Sequence, residues 1–277
     1  MSENSRTKGR HVVITGAARG IGFATAEELH RRGAAVTIGD IDEAAARQAA
    51  EKIGADVAAF HVDVTDEESF AAFLRASAEK HGEIDVLVNN AGIMPIGAFL
   101  EMSPALERRS LQINVTGPLT GMRLALPGMV ARGRGHIVNV ASTAGRAPIP
   151  GGIVYCAAKA AVIQATEAAR VEFAGTGVHF TCVMPSFTNT DLIAGTAGLK
   201  LIPTVEPEDV ASAIAEAIEH RRKDVVVPKI LAPILKIQPF LGRRLRDWFN
   251  HKMGAYDTFL HFDASARTRY TERIEKS

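Results

Sequence analysis

Seven short apolar runs, each continuous rather than alternating, constrain this chain more than any other feature. His11–Thr15, Ala35–Gly39, Val57–Val62, Asp85–Asn89, His136–Val140, Val178–Met184 and Asp224–Val227 are rich in β-branched residues, as strands are. A strand with one face in water alternates apolar and polar side chains, whereas an unbroken apolar run suits a strand covered on both faces. Alanine-rich stretches of helical character lie between the runs. Thr65-Asp-Glu-Glu68 reads as a capping box, Ser103-Pro104 as a cap followed by proline at the first helical position, and Glu206-Pro207 similarly. Gly82 follows Lys80-His81 where a helix should stop. Repeated β-α units with short connections predict an α/β fold built on one doubly wound parallel sheet.

Composition narrows the function classes. The chain has 277 residues, 47% apolar and 23% charged, with a formal net charge of +1. That balance describes an ordinary globular protein and argues against a nucleic-acid binder. Cys156 and Cys182 cannot build a disulfide framework and fit no metal motif. The nine histidines offer no paired ligand spacing, so no metal is expected in the chemistry. The start MSENSRTKGR is polar, which argues against a signal peptide. The most apolar stretch, Gly151 to Ala169, carries Lys159, Gln164 and Glu167, which argues against a transmembrane span. A cytoplasmic protein is the expectation. Residues 1–7 read as a flexible terminus, 8–229 as the catalytic domain, and 230–277 as its helical C-terminal extension.

Two clusters carry chemistry. Gly16, Gly20 and Gly22, with Arg19 and Ile21 between them, follow the first run and open a helical stretch. Glycines allow a tight turn and close approach of backbone to a pyrophosphate, and the free N–H groups of a helix start attract the anion. Asp40 ends the second run, where a carboxylate can accept hydrogen bonds from an adenosine ribose or, alternatively, cap the helix starting near Asp42. Its charge would repel a 2′-phosphate and so favours NAD over NADP. The second cluster is Tyr155 and Lys159, which share one helix face at i and i+4, together with Ser142 thirteen residues earlier. Such a set can move a proton to or from a substrate oxygen. A free phenol titrates near ~10, and reaching ~7 would take about 4 kcal/mol, to which a neighbouring ammonium, helped by an oxidised nicotinamide, could contribute. Ser142 can hydrogen-bond the substrate oxygen and position it.

The chain resembles the short-chain dehydrogenase/reductase family over roughly residues 8 to 230. The resemblance rests on TGAARGIG (15–22), Asp63-Val64, NNAG (89–92), Asn114 in INVTG, Ser142, Tyr155-x3-Lys159 and Pro185 to Thr190. It implies a Rossmann-like fold and hydride transfer between a nicotinamide cofactor and a secondary alcohol or ketone. It further implies that Asp63 and Val64 contact the adenine, and that Asn90, Ala91, Gly92 and Pro185 lie along the cofactor. Thr188 and Thr190 would sit near the carboxamide and phosphates, and Asn114 would hold a water that relays protons from Lys159. Two departures stand out. Pro185-Ser186 replaces the family's usual Pro-Gly, and Arg19 is a residue type common in NADP-using relatives. Homodimers or homotetramers are common in the family, with the helix bearing Tyr155 in the interface. A cofactor-binding redox sensor or scaffold without turnover is the alternative, and it would have no need of the intact catalytic set.

Substrate identity is less legible. Ser186–Pro203, with Phe187, Leu192, Ile193 and Leu199, reads as a lid, and Met94, Ile96, Ile149 and Phe187 could wall an apolar pocket. In the extension, Leu241, Leu245, Trp248 and Phe249 fall on one helical face with Arg243, Arg244 and Arg246 beside or behind it. Three dispositions stay open: cover for the substrate pocket or a neighbouring subunit, packing on its own domain, or contact with a membrane surface. Asp247, Asp257 and Asp263 weigh against the last.

Overall fold

The computed structural model describes residues 7–198, 202–252 and 254–276. Seven strands form one parallel sheet: β1 (His11–Thr15), β2 (Ala35–Asp40), β3 (Ala58–His61), β4 (Val86–Asn89), β5 (Gly135–Val140), β6 (Val178–Pro185) and β7 (Asp224–Val227). Each of the seven apolar runs overlaps one of them, β2, β5 and β6 each extending one residue beyond its run. The helices of the main body are α1 (Gly20–Arg31), α2 (Glu43–Ile53), α3 (Glu67–His81), α4 (Pro104–Leu111), α5 (Gly117–Ala131), α6 (Ile153–Glu172) and α7 (Pro207–His220). The extension adds α8 (Leu231–Ile237), α9 (Arg243–Lys252), α10 (Ala255–Thr258) and α11 (Ala264–Lys276).

The strand order is β3-β2-β1-β4-β5-β6-β7. Connections run one way from β1 to β3 and the other way from β4 to β7, so a crevice opens beyond the carboxyl ends of β1 and β4. The continuous apolar runs are explained by the two layers. Leu29 of α1, Ala46 and Ala49 of α2, and Ile214 and Ile218 of α7 pack on one face of the sheet with Val12, Ile14 and Ile38. Phe70 and Phe73 of α3, and Met122 and Met129 of α5, pack on the other with Val13, Leu87 and Ile137. Each such leucine, isoleucine, valine, phenylalanine or methionine contributes about 1.5–3 kcal/mol through burial, and each alanine about 0.8 kcal/mol.

Local caps set where the helices begin. Ser103 accepts from Leu106 N at 3.2 Å with Pro104 in the first turn. At α7, Glu206 and Asp209 form a reciprocal capping box. Gly82 ends α3 with φ at +82°. The box expected at Thr65 is displaced by one residue. Asp66 caps α3 through Glu68 N at 3.0 Å, while the Thr65 hydroxyl turns to Asp63 at 2.7 Å. A shorter carboxylate at the boundary takes the helix N–H, and Thr65 is held by the preceding turn. Thr7, read as part of a loose terminus, is buried and donates to Glu219 at 3.2 Å.

His136 shows what the buried sheet costs. The Thr181 hydroxyl gives its proton to Arg222 O at 2.5 Å, so at the 2.8 Å contact with His136 it accepts from Nε2–H. Nδ1 is left buried without a partner. Burial therefore lowers the imidazole pKa to about 3. Below its ordinary value of 6.5 the unfolded chain takes up a proton that the folded chain refuses. Stability contributed by neutral His136 is therefore expected to fall as pH drops from 6.5 towards 3. Urea denaturation midpoints measured across this range should decline, and less steeply in His136→Gln; an unchanged slope in the variant would contradict the assignment.

Candidate active site

The turn between β1 and α1 forms one end of the crevice. Gly16 has φ +65°, and a Cβ there would lie 2.6 Å from Ala91 Cα. At Gly22 a Cβ would meet Gly16 O at 2.5 Å and Asn90 Nδ2 at 2.6 Å. Asn90 staples this turn, donating to Thr15 O at 3.0 Å and Gly16 O at 2.9 Å. Arg19 at the start of α1 provides no side-chain cap, and the first turn holds no acidic residue. The helix start thus presents backbone donors and a positive dipole end to the crevice, which suits a pyrophosphate. Gly16, Arg19, Gly20, Ile21, Asp40, Asp63, Val64, Asn90, Ala91, Gly92, Pro185, Thr188 and Thr190 all line one cavity of about 850 Å³. Gly22 lies behind the loop, where its missing side chain permits the turn.

Asp40 stands at the end of β2. Its carboxylate accepts from Ala18 N at 3.1 Å and Asp42 N at 3.2 Å. The helix-capping role falls instead to Asp42, which accepts from Ala45 N at 3.0 Å. Arg19 pairs with Asp42 at 3.1 Å on a half-exposed surface, where such pairs contribute little.

The catalytic candidates converge at the other end. Tyr155 and Lys159 are both buried on α6 and both face the cavity. Ser142 follows β5, accepts from Ala144 N at 3.1 Å and contacts Pro185 O at 3.4 Å. Burial pushes the Tyr155 phenol well above its ordinary value, and a hydrogen bond with Ser142 opposes that shift. The Lys159 ammonium lies 5.7 Å from the Tyr155 ring centroid and donates to Val140 O at 2.9 Å. Burial lowers the Lys159 pKa to about 8.

Asn114 sits in a π-helical turn, Gln112–Thr116, between α4 and α5. Such turns insert an extra residue and often mark functional sites. Its Nδ2 donates to Ile93 O at 2.8 Å and Ser110 O at 2.9 Å. Its Oδ1 is buried without a partner. A Cβ on Gly92 would lie 2.8 Å from that oxygen and 3.5 Å from Lys159 Nζ. An acceptor and a cation therefore face the same small space, which a glycine leaves open.

The substrate half of the cavity is closed by the chain's own C-terminus. Met94, Ile149, Phe187, Leu192 and Ile193 line it together with Phe259, Tyr270 and Ile274. Ile96 packs against the cluster that holds Met94 and Phe187 but is not among the residues lining the cavity, and Leu199 lies outside the described residues. Arg267 of α11 is buried and donates to Leu192 O at 2.6 Å, Ala194 O at 3.1 Å and Met94 O. Tyr270 accepts from Met94 N at 2.7 Å, and Arg273 pairs with Asp191 at 2.8 Å. One helix thus ties together the two loops that bound the pocket. Sequence reasoning missed these residues. The spacing Arg267, Tyr270, Arg273 marks a helical stripe, but nothing in it names the loops it reaches. Arg267→Met leaves three carbonyls, that of Met94 buried and those of Leu192 and Ala194 partly so, without their donor, an expected loss of about 1–3 kcal/mol. Thermal denaturation should show that loss, and substrate KM should rise more than kcat falls; an unchanged KM would exclude the clamp.

The comparisons with known proteins agree with this geometry. A family profile described as short chain dehydrogenase matches residues 10–197. Cis-4-hydroxycyclohexanecarboxylate dehydrogenase of Sinomonas cyclohexanicum is 40% identical over 218 residues, 74% of this chain and 88% of that protein. A short-chain dehydrogenase/reductase from Burkholderia phymatum, solved in complex with NAD, aligns with a TM-score of 0.78 at 27% identity. That alignment covers 84% of this chain and 94% of the other. The 3-ketoacyl-(acyl-carrier-protein) reductase of Brucella melitensis, solved with NADH, gives 0.73 at 29% identity, covering 80% and 97%. The chain belongs to the short-chain dehydrogenase family and is a nicotinamide-dependent oxidoreductase of alcohols and ketones.

Proposed function

We propose that the protein interconverts an apolar secondary alcohol and its ketone with NAD(H) in preference to NADP(H). The observation that carries this reading is the convergence of Ser142, Tyr155, Lys159 and the open Asn114 oxygen on one cavity, with the glycine cradle at its far end. The turn Gly16–Gly22 would hold the pyrophosphate, Asp40 the adenosine ribose, Asp63 and Val64 the adenine, and Thr188 and Thr190 the nicotinamide end. Bound nicotinamide supplies or accepts the hydride. The Tyr155 hydroxyl gives its proton to the carbonyl oxygen in reduction and takes it back in oxidation. Ser142, which lines the same cavity as that phenol, orients the same oxygen. Lys159 stabilises the phenolate, and Asn114 Oδ1 is placed to accept from a water that returns the proton.

Apolar walls at Met94, Phe187 and Phe259 favour a hydrocarbon ring or chain beside the reacting carbon. The hydroxylated cyclohexane named for the Sinomonas enzyme is of this kind. Buried free thiols at Cys156 and Cys182 suit a reducing cytoplasm. A homo-oligomer is proposed through α5 and α6, where Leu119, Ile153 and Val171 remain exposed.

Tyr155→Phe is expected to lower kcat by about 10²–10⁴-fold while leaving NADH affinity, measured by fluorescence, nearly unchanged. Persisting turnover would remove the phenol from the mechanism. For cofactor choice, wild-type kcat/KM should favour NADH over NADPH by at least about tenfold through like-charge repulsion at Asp40. Asp40→Ser should erase most of that ratio; a wild-type preference for NADPH would refute the assignment.

A further inference from the structure

The stretch from Lys229 to Lys252 has no part in the site described above. It carries six lysines and arginines (Lys229, Lys236, Arg243, Arg244, Arg246 and Lys252) against one acid, Asp247. The whole chain has a formal charge of only +1, so this segment concentrates positive charge that the remainder of the protein lacks.

Its apolar residues are divided between two faces. On α8, Leu231 and Leu235 are buried and fasten the helix to the body. Ile230, Ile234 and Ile237, spaced i, i+4 and i+7, point the other way and are between 46% and 69% exposed. A surface helix needs one apolar stripe to pack; a second stripe on the outward side needs a second apolar phase. Further along the segment, Phe240 is 88% exposed and Leu245 and Trp248 on α9 are both at least half exposed, which enlarges the outward apolar surface. Arg244 and Lys252 flank it, with the Lys252 ammonium 6.0 Å from the Trp248 ring centroid. Lys229 is exposed, 3.9 Å from Glu216.

We infer that this basic, aliphatic-aromatic face docks on an anionic lipid surface. Interfacial helices combine such a face with flanking lysine and arginine, which anionic headgroups attract. A second copy of the chain is disfavoured, because a two-fold contact through this face would bring the flanking cations of one copy against those of the other. Nucleic acid is disfavoured because the centre of the face is isoleucine, leucine and phenylalanine rather than cations. Among the described residues no helix is long and apolar enough to cross a membrane, so the contact is peripheral. From Trp248 the chain runs on through α10 to Phe259, which lines the substrate pocket. Docking would therefore hold the pocket's C-terminal cover close to the lipid.

The test uses the full chain and vesicles of equimolar phosphatidylglycerol and phosphatidylcholine, compared with phosphatidylcholine alone. Trp248 is the sole tryptophan, so its emission reports on this face alone. Expected are sedimentation with the anionic vesicles at low salt, release at high salt, and a shift of emission to shorter wavelength. Two double variants, Arg244→Glu with Arg246→Glu and Ile234→Ser with Phe240→Ser, should each raise the lipid needed for half-binding by at least about tenfold. Their turnover of a water-soluble ketone should match the wild type, which shows that they fold. Absence of vesicle binding at low salt would overturn the proposal, as would equal, salt-insensitive binding to phosphatidylcholine alone. So would a concentration-dependent doubling of mass that Phe240→Ser abolishes, since that would assign the face to a second copy.

Discussion

A buried ammonium anchored to the end of a strand organises this molecule. Lys159 lies inside the protein, and its Nζ donates to Val140 O at the last residue of β5 at 2.9 Å. An unpaired charge in that environment is costly, which is why burial lowers its pKa to about 8. The carbonyl offsets part of that cost and in doing so locks the register of α6 against the sheet. Tyr155, one helical turn earlier, is carried into the cavity by the same contact, and Ser142, two residues past Val140, is delivered to it from the strand side.

The rest of the site is arranged around that anchor by backbone groups more than by side chains. Asn114 reaches it because a π-helical turn rotates one residue out of the regular α4–α5 path, and Gly92 keeps the intervening space open. At the far end, Asn90 holds the glycine turn from behind. The cradle is thus braced by β4 and the proton-handling group by β5, and the crevice between them follows from where the strand order reverses.

The C-terminal extension divides its work. Its last helix clamps two loops over the substrate through Arg267 and Tyr270, so the pocket is closed by the same chain that forms its floor. Its earlier helices turn apolar residues and cations outward. Clamp and outward face are joined by α10, where Thr258 donates to Gly198 O at 3.1 Å and Phe259 packs on Phe187.

The sequence alone determined the sheet, the chemistry and most of the cradle. Unbroken β-branched runs can be buried only between two layers, and the Tyr155–Lys159 interval can place both residues on one helix face whatever surrounds it. Those are local consequences of side-chain period, and they survive without coordinates. Even so, the cap at Asp66 rather than Thr65 turned on a competing bond to Asp63. Tertiary structure alone decided the direction of the Tyr155 shift, because desolvation depends on every neighbour and not on Lys159 alone. It also decided that α11 brings Tyr270 and Ile274 to the pocket, since a helix seventy-five residues beyond Leu192 meets it only through the folded path of the chain.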